Sequence, residues 1–387
     1  MNSQSKLKLS RLNSDSNRVA IAAGGTAGHI FLALAGAHGY RHRSLAEVVF
    51  FVSTSEEAQL IERNGYTCFV VHGFPVARQT LARKVWAIGN VGFGFMEARR
   101  ALRSMRPDIV IGFGSYASVA PILAARSLGL RTAIHESNVT PGLANKLLGQ
   151  VVDRIYLGFQ EATRHFPKRR TLVTGNPVRP EVASSSFVAK EPPTGNRPAR
   201  VLVTGGSSGS HFLNKEVPDL IGMLAKRGIA VEVLHQTGAG EDEMVRSAYR
   251  AAGIPASVTA YIEEMLAAYK WADFAISCAG AATLSELAAV ALPSLVIPLR
   301  DAAAEHQVPN AIAFAHQAGW WVSEDKWDRT TVSQKLATVL TEPHVWWDMS
   351  RAARANANAD AARILTADFE AMVGEERGRA PIAARSN

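Results

Sequence analysis

The hydrophobic pattern of the chain alternates between short, predominantly apolar runs and longer segments with helical periodicity. Residues 18–23 (RVAIAA) form the first such run, and comparable runs recur at 47–53, 108–113 and 131–135. Continuous apolar runs separated by amphipathic segments are typical of parallel strands whose two faces are covered by helices. The alternation therefore predicts an α/β protein built on parallel sheets.

The alternation is interrupted once near the middle of the chain, by a Pro- and Ser-rich stretch, and then resumes from residue 201. Such a stretch between periodic segments is typical of an interdomain linker. The predicted organisation is a polar N-terminal extension (1–17), a first domain (18–179), a linker (180–199), a second domain (200–344), a C-terminal helix (345–372) and a tail expected to be disordered (373–387).

Each predicted domain begins with an apolar strand that runs into a glycine-rich turn and then into a helix. The first turn contains Gly24 and Gly25, and the second contains Gly205 and Gly206. Glycine permits positive φ and close backbone approach, and the free N–H groups of the following helix favour an anion above the turn. The repeat predicts two similar halves that face one cleft and bind phosphate.

The type of nucleotide chemistry is restricted by motifs that these turns do not contain. A dinucleotide dehydrogenase requires G-x-G-x-x-G and an acidic residue at the end of the second strand, whereas both turns read G-G-x-x-G and the second strand ends at Ser53. Glu56 follows at a helix start, where capping is a sufficient explanation. A Walker lysine is absent as well. Paired phosphate-binding halves then favour an enzyme that holds a nucleotide-sugar in one domain and its acceptor in the other.

Composition and charge indicate the cellular compartment and the kind of partner that the chain binds. The chain has 387 residues, a net charge of +8 and two cysteines, Cys68 and Cys278, which indicate a reducing compartment. Residues 274–299 are the one stretch apolar enough to be considered as a membrane span, but Gly280 and the prolines within it favour strand, helix and strand of a soluble core. The positive charge predicts an acidic partner, either a phosphorylated substrate or an anionic membrane, and no nucleic-acid-binding motif accompanies it.

Six short motifs, in a fixed order over most of the chain, resemble the MurG family, which adds N-acetylglucosamine to the lipid-linked peptidoglycan precursor. They are residues 24–31 (GGTAGHIF), 135–146 (HESNVTPGLANK), 175–179 (GNPVR), 205–207 (GGS), 280–286 (GAATLSE) and 306–311 (HQVPNA).

The resemblance implies a GT-B fold, in which two Rossmann-like domains face a cleft and a C-terminal helix crosses back to the first domain. It implies inverting, metal-independent transfer of N-acetylglucosamine from UDP-N-acetylglucosamine to undecaprenyl-linked muramyl pentapeptide, at the cytoplasmic face of the bacterial inner membrane, with no cofactor. The alternatives are a GT-B transferase with another lipid or natural-product acceptor, and a UDP-N-acetylglucosamine 2-epimerase that uses the pair His135 and Glu136.

The resemblance also assigns residues to the donor. Glu286 is expected to accept both ribose hydroxyls, Arg179 to offset charge on the leaving UDP, and Gln307 to read the sugar hydroxyls. The full expected donor set is Thr26, Ala27, Gly28, Asn138, Arg179, Gly206, Ser207, Ile262, Ala281, Ala282, Thr283, Leu284, Ser285, Glu286 and Gln307. Asn138 is expected to face the cleft from the first domain, and Ile262 to pack on the uracil or in the core.

His29 is the candidate for catalysis, because inversion requires a base at the acceptor hydroxyl and imidazole suits neutral pH. The alternative roles are a phosphate ligand or a helix cap. Two departures from the family, Ala27 and Ser115, stand where it usually has glycine, and both lie in the predicted acceptor domain.

A basic amphipathic stretch at 74–106 predicts contact with an anionic membrane surface, and a basic solvated helix is the alternative. The residues expected to contact the membrane are Leu81, Arg83, Lys84, Val85, Trp86 and Ile88. No metal site is predicted.

Overall fold

The structure, a computed structural model, describes residues 17–72, 81–185, 191–193, 195–300, 306–355, 357–358 and 360–379, with side chains undescribed at 81–91, 317–318 and 375–379. The chain forms two compact units. The first takes in residues up to Ser137, Pro141–Pro177 and the chain from Asp360, and the second takes in Asn138–Thr140 and Val178–Ala359.

The first unit is built on a sheet of parallel strands. They are β1 (Arg18–Ala22), β2 (Glu47–Val52), β3 (Thr67–Val70), β4 (Ile109–Gly112), β5 (Arg131–Glu136), β6 (Arg154–Leu157) and β7 (Thr171–Val173). Their order in the described sheet is β3-β2-β1-β4-β5-β6-β7. The central strands are apolar because helices cover both faces, as shown by Val19, Ala20 and Ile21, whose side chains are fully buried.

Helices connect these strands. They are α1 (Ala27–Arg43), α2 (Ser55–Arg63), α3 (Leu81–Met105), α4 (Val119–Ser127) and α5 (Leu143–Leu148), and short 3₁₀ turns lie at Tyr116–Ser118, Gln160–His165 and Lys168–Arg170. The strand order reverses beside β1, so the turns after β1 and β4 lie at the position where open α/β sheets bind ligands.

The second unit repeats this architecture. Its strands are β8 (Ala199–Thr204), β9 (Val231–Gln236), β10 (Ala256–Thr259), β11 (Phe274–Ser277), β12 (Ser294–Val296) and β13 (Trp320–Trp321). They are parallel and ordered β10-β9-β8-β11-β12-β13 in the described sheet. This order matches that of the first six strands of the first unit, which confirms the prediction of two Rossmann-like halves.

The helices of the second unit follow the strands in turn. They are α6 (Pro180–Ser184), α7 (His211–Lys226), α8 (Asp242–Ala251), α9 (Met265–Trp271), α10 (Ala281–Ala289), α11 (Gln307–Ala318), α12 (Arg329–Thr341) and α13 (Pro343–Ala355), with a 3₁₀ turn at Glu324–Lys326. Its core is centred on Trp346 of α13, which is fully buried and whose Nε1 donates to the carbonyl of Asp273 at 2.8 Å.

The C-terminal region differs from the single helix predicted at 345–372. The structure has two helices, α13 in the second unit and α14 (Ala361–Arg379) in the first. The segment between them reads Asn-Ala-Asn-Ala-Asp at 356–360, and asparagine and aspartate favour turns and helix starts over helix interiors. The predicted return of the chain to the first domain is confirmed, because α14 packs on α1.

Two residues of α14, Phe369 and Asp368, hold it in the first unit. The ring of Phe369 meets Tyr40 of α1 edge to face at 5.4 Å. Asp368 accepts hydrogen bonds from Arg154 Nε at 3.0 Å and from the Tyr156 hydroxyl at 2.9 Å.

The predicted linker at 180–199 begins with a short helix, α6. This helix belongs to the second unit, where it packs against α10.

Candidate active site

The first glycine-rich turn joins β1 to α1. Gly25 has a φ of 81°, and a Cβ at this position would lie 2.3 Å from the Ser115 Oγ, so only glycine fits. Thr26 is the N-cap of α1 and accepts from the backbone N–H of His29. Ala27 begins the helix, where a Cβ is compatible with the backbone, so its departure from the family's glycine does not disturb the turn.

The turn is held by a carboxylate that the sequence analysis missed. The Glu57 Oε1 accepts from the Gly25 N–H at 2.7 Å, and its Oε2 accepts from the N–H groups of Ser53 at 2.9 Å and Thr54 at 3.1 Å. Glu57 is also the partner of Thr54 in a capping box at the start of α2. The T-x-x-E pattern at 54–57 could have indicated the cap, but its contact with Gly25 depends on the pairing of β1 with β2. Glu56 lies in the first turn of α2 and is exposed, whereas Glu57 makes the capping contact.

His29 is the third residue of α1 and lies in its first turn. Its Nδ1 is 3.0 Å from the Thr26 Oγ1, which fixes the orientation of the ring. A Cβ at Gly114, after β4, would lie 3.2 Å from the His29 Nε2, so the imidazole packs directly on the backbone of the turn that follows β4. Next to it, Ser115 has a φ of 67°, the left-handed conformation that explains why the family usually has glycine there.

The pair His135 and Glu136, which an epimerase would use, is occupied by structural contacts at the end of β5. His135 stacks on Phe113 with ring centroids 5.2 Å apart, and its Nε2 is 3.2 Å from the carbonyl oxygen of Gly175. Burial lowers the pKa of His135 to about 4, so the imidazole is neutral at pH 7. Glu136 accepts from Asn145 Nδ2 at 2.9 Å and from the N–H of Gly142 at 3.2 Å.

The second glycine-rich turn follows β8 and is constrained by a neighbouring loop. Gly206 has a φ of 77°. A Cβ at Gly209 would lie 1.9 Å from the carbonyl oxygen of Thr237, so the two loops are in backbone contact. The Gly206 N–H donates to the Thr204 Oγ1 at 3.1 Å, and Ser207 is exposed at the tip of the turn. Ser210 then caps α7 by accepting from Leu213 at 3.3 Å.

A second residue missed by the sequence analysis, Gln236 at the end of β9, joins two predicted donor residues. Its Nε2 donates to the carbonyl oxygen of Gly206 at 2.6 Å, and its Oε1 accepts from the N–H of Ile262 at 3.0 Å. Gln236 is 1% exposed and Ile262 is 8% exposed. The Gln236 amide therefore sets the spacing between the glycine-rich turn and Ile262, the residue expected to pack on the uracil.

Glu286 lies inside α10, and its carboxylate is buried. The Tyr269 hydroxyl donates to its Oε2 at 2.9 Å, and Arg179 Nε is 3.3 Å from its Oε1. Burial raises the pKa of Glu286, while the Arg179 charge and the Tyr269 hydrogen bond oppose that shift. The structure thus brings together Arg179 and Glu286, two predicted donor residues that are far apart in the sequence.

The other residues predicted on α10 vary in exposure. Ala282, Thr283 and Ser285 are half-buried, whereas Ala281 and Leu284 are buried, Leu284 with 1% exposure. Gly280 is the N-cap of this helix. The side chain of Leu284 is therefore part of the buried core.

Gln307 and Asn138 are both held by contacts in the second unit. The Gln307 Oε1 accepts from the N–H groups of Ala279 at 3.0 Å and Leu299 at 3.1 Å. Asn310, one turn later, donates from Nδ2 to the Asn138 Oδ1 at 2.9 Å and accepts from the Val139 N–H at 2.9 Å. Asn138 was expected to face the cleft from the first domain, but these bonds group it with the second unit.

The comparisons with known proteins cover both units. Residues 19–157 match the Glycosyltransferase family 28 N-terminal domain, and residues 200–365 match the Glycosyltransferase family 28 C-terminal domain. The UDP-N-acetylglucosamine–N-acetylmuramyl-(pentapeptide) pyrophosphoryl-undecaprenol N-acetylglucosamine transferase of Geotalea daltonii is 34% identical over 93% of this chain and 98% of its own length. The enzyme of the same name from Nitratidesulfovibrio vulgaris is 37% identical, over 94% of this chain and 99% of that protein. The chain belongs to the MurG family.

Solved structures agree with this assignment. The crystal structure of Acinetobacter baumannii MurG superposes with a TM-score of 0.72 and 25% identity, covering 92% of this chain and 99% of that one. A UDP-N-acetylglucosamine 2-epimerase from Listeria monocytogenes has a TM-score of 0.66 at 14% identity, which shows the fold alone. The prediction of a GT-B glycosyltransferase in the MurG family is confirmed.

Two further predictions concern membranes and metals. The side chains of the expected membrane residues at 81–88 lie outside the described residues, although their backbone forms the start of α3. None of the helices within the described ranges is long and apolar enough to cross a membrane. Across those same residues, no group of three or more histidines, cysteines or carboxylates is arranged to hold a metal ion.

Proposed function

We propose that this chain transfers N-acetylglucosamine from UDP-N-acetylglucosamine to the muramyl 4-hydroxyl of undecaprenyl-pyrophosphoryl-linked muramyl pentapeptide. The observation that supports this most strongly is the buried carboxylate of Glu286 beside Arg179 in the second unit, within a chain of MurG-family sequence. Burying a carboxylate costs free energy unless the group is paired or hydrogen-bonded. Here each of the two Glu286 oxygens faces a donor, from Tyr269 or from Arg179. Such a group suits the vicinal diol of a ribose.

In this proposal the second unit binds the donor. Glu286 accepts hydrogen bonds from the ribose hydroxyls, and the backbone of Gly206 and Ser207 holds the diphosphate near the start of α7. Arg179 keeps its Nε beside Glu286, directs its other guanidinium N–H groups toward the diphosphate and offsets the charge that develops on the leaving UDP. Ile262 contacts the uracil, and Gln307 orients the sugar.

The first unit supplies the base. His29 removes the proton from the acceptor hydroxyl as its oxygen attacks the anomeric carbon from the face opposite UDP, so that the configuration inverts. The hydrogen bond between Thr26 and the His29 Nδ1 orients the imidazole for this task. Thr26, Ala27 and Gly28 bring backbone N–H groups at the start of α1 toward the reacting sugars.

Membrane association is assigned to one surface of the first unit. Leu143 and Leu147 of α5 are 62% and 64% exposed, and Lys146 is exposed on the same short helix. Leu123 and Arg126 of α4 line an adjoining depression, and α4 packs against the basic helix α3. Exposed leucines among cations fit the interface of an anionic bilayer, where the lipid-linked acceptor resides.

The decisive experiment is a transfer assay with labelled UDP-N-acetylglucosamine and lipid-linked muramyl pentapeptide. The expected result is labelled disaccharide lipid and release of UDP in equal amounts. Incubation with UDP-N-acetylglucosamine alone tests the epimerase reaction, because only an epimerase converts the donor without an acceptor. Turnover of the donor alone, or transfer only to a different acceptor, would contradict the proposal.

A further inference from the structure

Tyr269 is a buried tyrosine whose hydroxyl reaches one carboxylate. It lies on α9, its side chain is 1% exposed, and its Oη is 2.9 Å from the Glu286 Oε2. A hydroxyl this deep in a core costs free energy unless it forms a hydrogen bond, and a phenylalanine would fill the same volume without that cost. The hydrogen bond to Glu286 therefore compensates for the cost of burying the hydroxyl.

The two oxygens of Glu286 are held from different elements. Tyr269 of α9 contacts Oε2, and Arg179, which precedes α6, faces Oε1. Two contacts at separate oxygens fix the plane of the carboxylate. The backbone N–H of Arg179 also donates to this carboxylate. An ionised carboxylate has about four lone-pair sites, and the hydrogen bonds from Tyr269 and from this N–H leave capacity for the two hydroxyls of a vicinal diol.

We propose that Tyr269 is a positioning residue of the donor site, which orients the Glu286 carboxylate so that it accepts both ribose hydroxyls of the UDP-sugar. This inference rests on the proposed donor site and adds to it a residue that does not contact the ligand. Its action passes entirely through Glu286.

The electrostatic surroundings of Glu286 give the proposal a second consequence. The groups that act on this carboxylate are the guanidinium and backbone N–H of Arg179, the Tyr269 hydroxyl and the charge of Glu181 of α6. Burial and Glu181 raise the pKa of Glu286, whereas Arg179 and Tyr269 lower it. Loss of the Tyr269 hydroxyl therefore raises the pKa of Glu286 further. As the solution is acidified, UDP affinity then begins to fall at a higher pH than in the wild-type protein, because the protonated carboxyl no longer accepts both hydroxyls.

The test compares Tyr269→Phe with a matched control, Tyr249→Phe. Tyr249 is also 1% exposed in the second unit, and its hydroxyl lies 3.0 Å from the Nδ1 of His235 rather than at Glu286. Both substitutions remove one buried hydroxyl, so they match in their effect on the core. Calorimetry measures the binding of UDP and of 2′,3′-dideoxyuridine 5′-diphosphate, which lacks the diol.

The expected result is that Tyr269→Phe binds UDP about 2–13-fold more weakly, the net worth of one typical intramolecular hydrogen bond. Its affinity for the dideoxy nucleotide stays at the wild-type value, and Tyr249→Phe changes neither affinity. In a Glu286→Gln background, Tyr269→Phe has no further effect on UDP binding, because the tyrosine acts through that carboxylate. The acid limb of UDP binding moves to higher pH in Tyr269→Phe alone.

Two results would overturn the inference, and they are distinguishable. Equal weakening of UDP and dideoxy nucleotide by Tyr269→Phe, or no weakening of either, assigns the tyrosine a purely structural role while the donor site stands. Equal binding of the two nucleotides by the wild-type protein removes the diol from the recognition by Glu286, and the proposed ribose site fails together with the inference.

Discussion

The contact between Glu57 and the first glycine-rich turn leads to a prediction for Glu57→Gln. In the wild-type protein the carboxylate accepts three backbone N–H groups, from Gly25, Ser53 and Thr54. A glutamine of the same shape keeps one acceptor oxygen but turns an amide NH₂ group toward N–H donors. The turn before α1 loses its anchor, and with it the placement of Thr26 and His29.

The magnitude follows from the bonds that are lost. A hydrogen bond to a charged group is worth about 1.5–3 kcal/mol, and a neutral one about 1 kcal/mol. A negative charge in the first turn of a helix adds about 0.3–1 kcal/mol. Because part of the bonding survives in the amide, we expect Glu57→Gln to lower the free energy of unfolding by about 1–3 kcal/mol. Displacement of His29 by a fraction of an ångström should lower kcat about 10–100-fold.

The matched control is Thr54→Ala. Thr54 caps the same helix, α2, whereas the side chain that bonds to Gly25 is that of Glu57. Loss of such a cap costs about 0.5–2 kcal/mol, so the two variants should have similar urea unfolding midpoints. Transfer assays should separate them, with kcat near the wild-type value for Thr54→Ala and strongly reduced for Glu57→Gln, while UDP affinity is unchanged in both. Equal kcat in the two variants would refute the reasoning.

Three further predictions test the remaining assignments. Glu286→Gln should weaken UDP binding about 10–100-fold in calorimetry, since hydrogen bonds to a charged acceptor are lost, and an unchanged Kd would show that the ribose site is misplaced. His29→Ala should lower kcat by ~10²–10⁴ and abolish the acidic limb of the pH profile, whereas a raised acceptor KM with the limb retained would make His29 a ligand rather than the base. Arg169 lines the same depression as Leu123 and Arg126. The double variant Lys146→Glu with Arg169→Glu should lose about 1 kcal/mol per residue in binding to anionic vesicles, with turnover of a soluble acceptor analogue preserved. Unaltered vesicle binding would show that this surface is only solvated.

Side-chain contacts between segments that are distant in the chain could not be predicted from the sequence. Glu57 could be assigned to a helix cap from its spacing to Thr54, yet its bond to Gly25 exists only because β2 pairs with β1. Gln236 joins Gly206 to Ile262 across three loops that a local pattern cannot relate. Asn138 was placed with the first domain from its position after β5, but its partner Asn310 lies far along the chain.

The alternation of strands and helices, the two glycine-rich turns and the family follow from the amino-acid sequence, because each depends on residues that are neighbours along the chain. Apolar runs such as residues 19–22 form buried strands wherever two layers of helices cover them, and Gly25 and Gly206 adopt a positive φ in their own turns. Which polar groups meet at the ends of these strands depends on the tertiary fold. Hydrogen bonds such as that from Tyr269 to Glu286 act over about 3 Å and are brought within range by strand order and helix packing, which depend on the whole core.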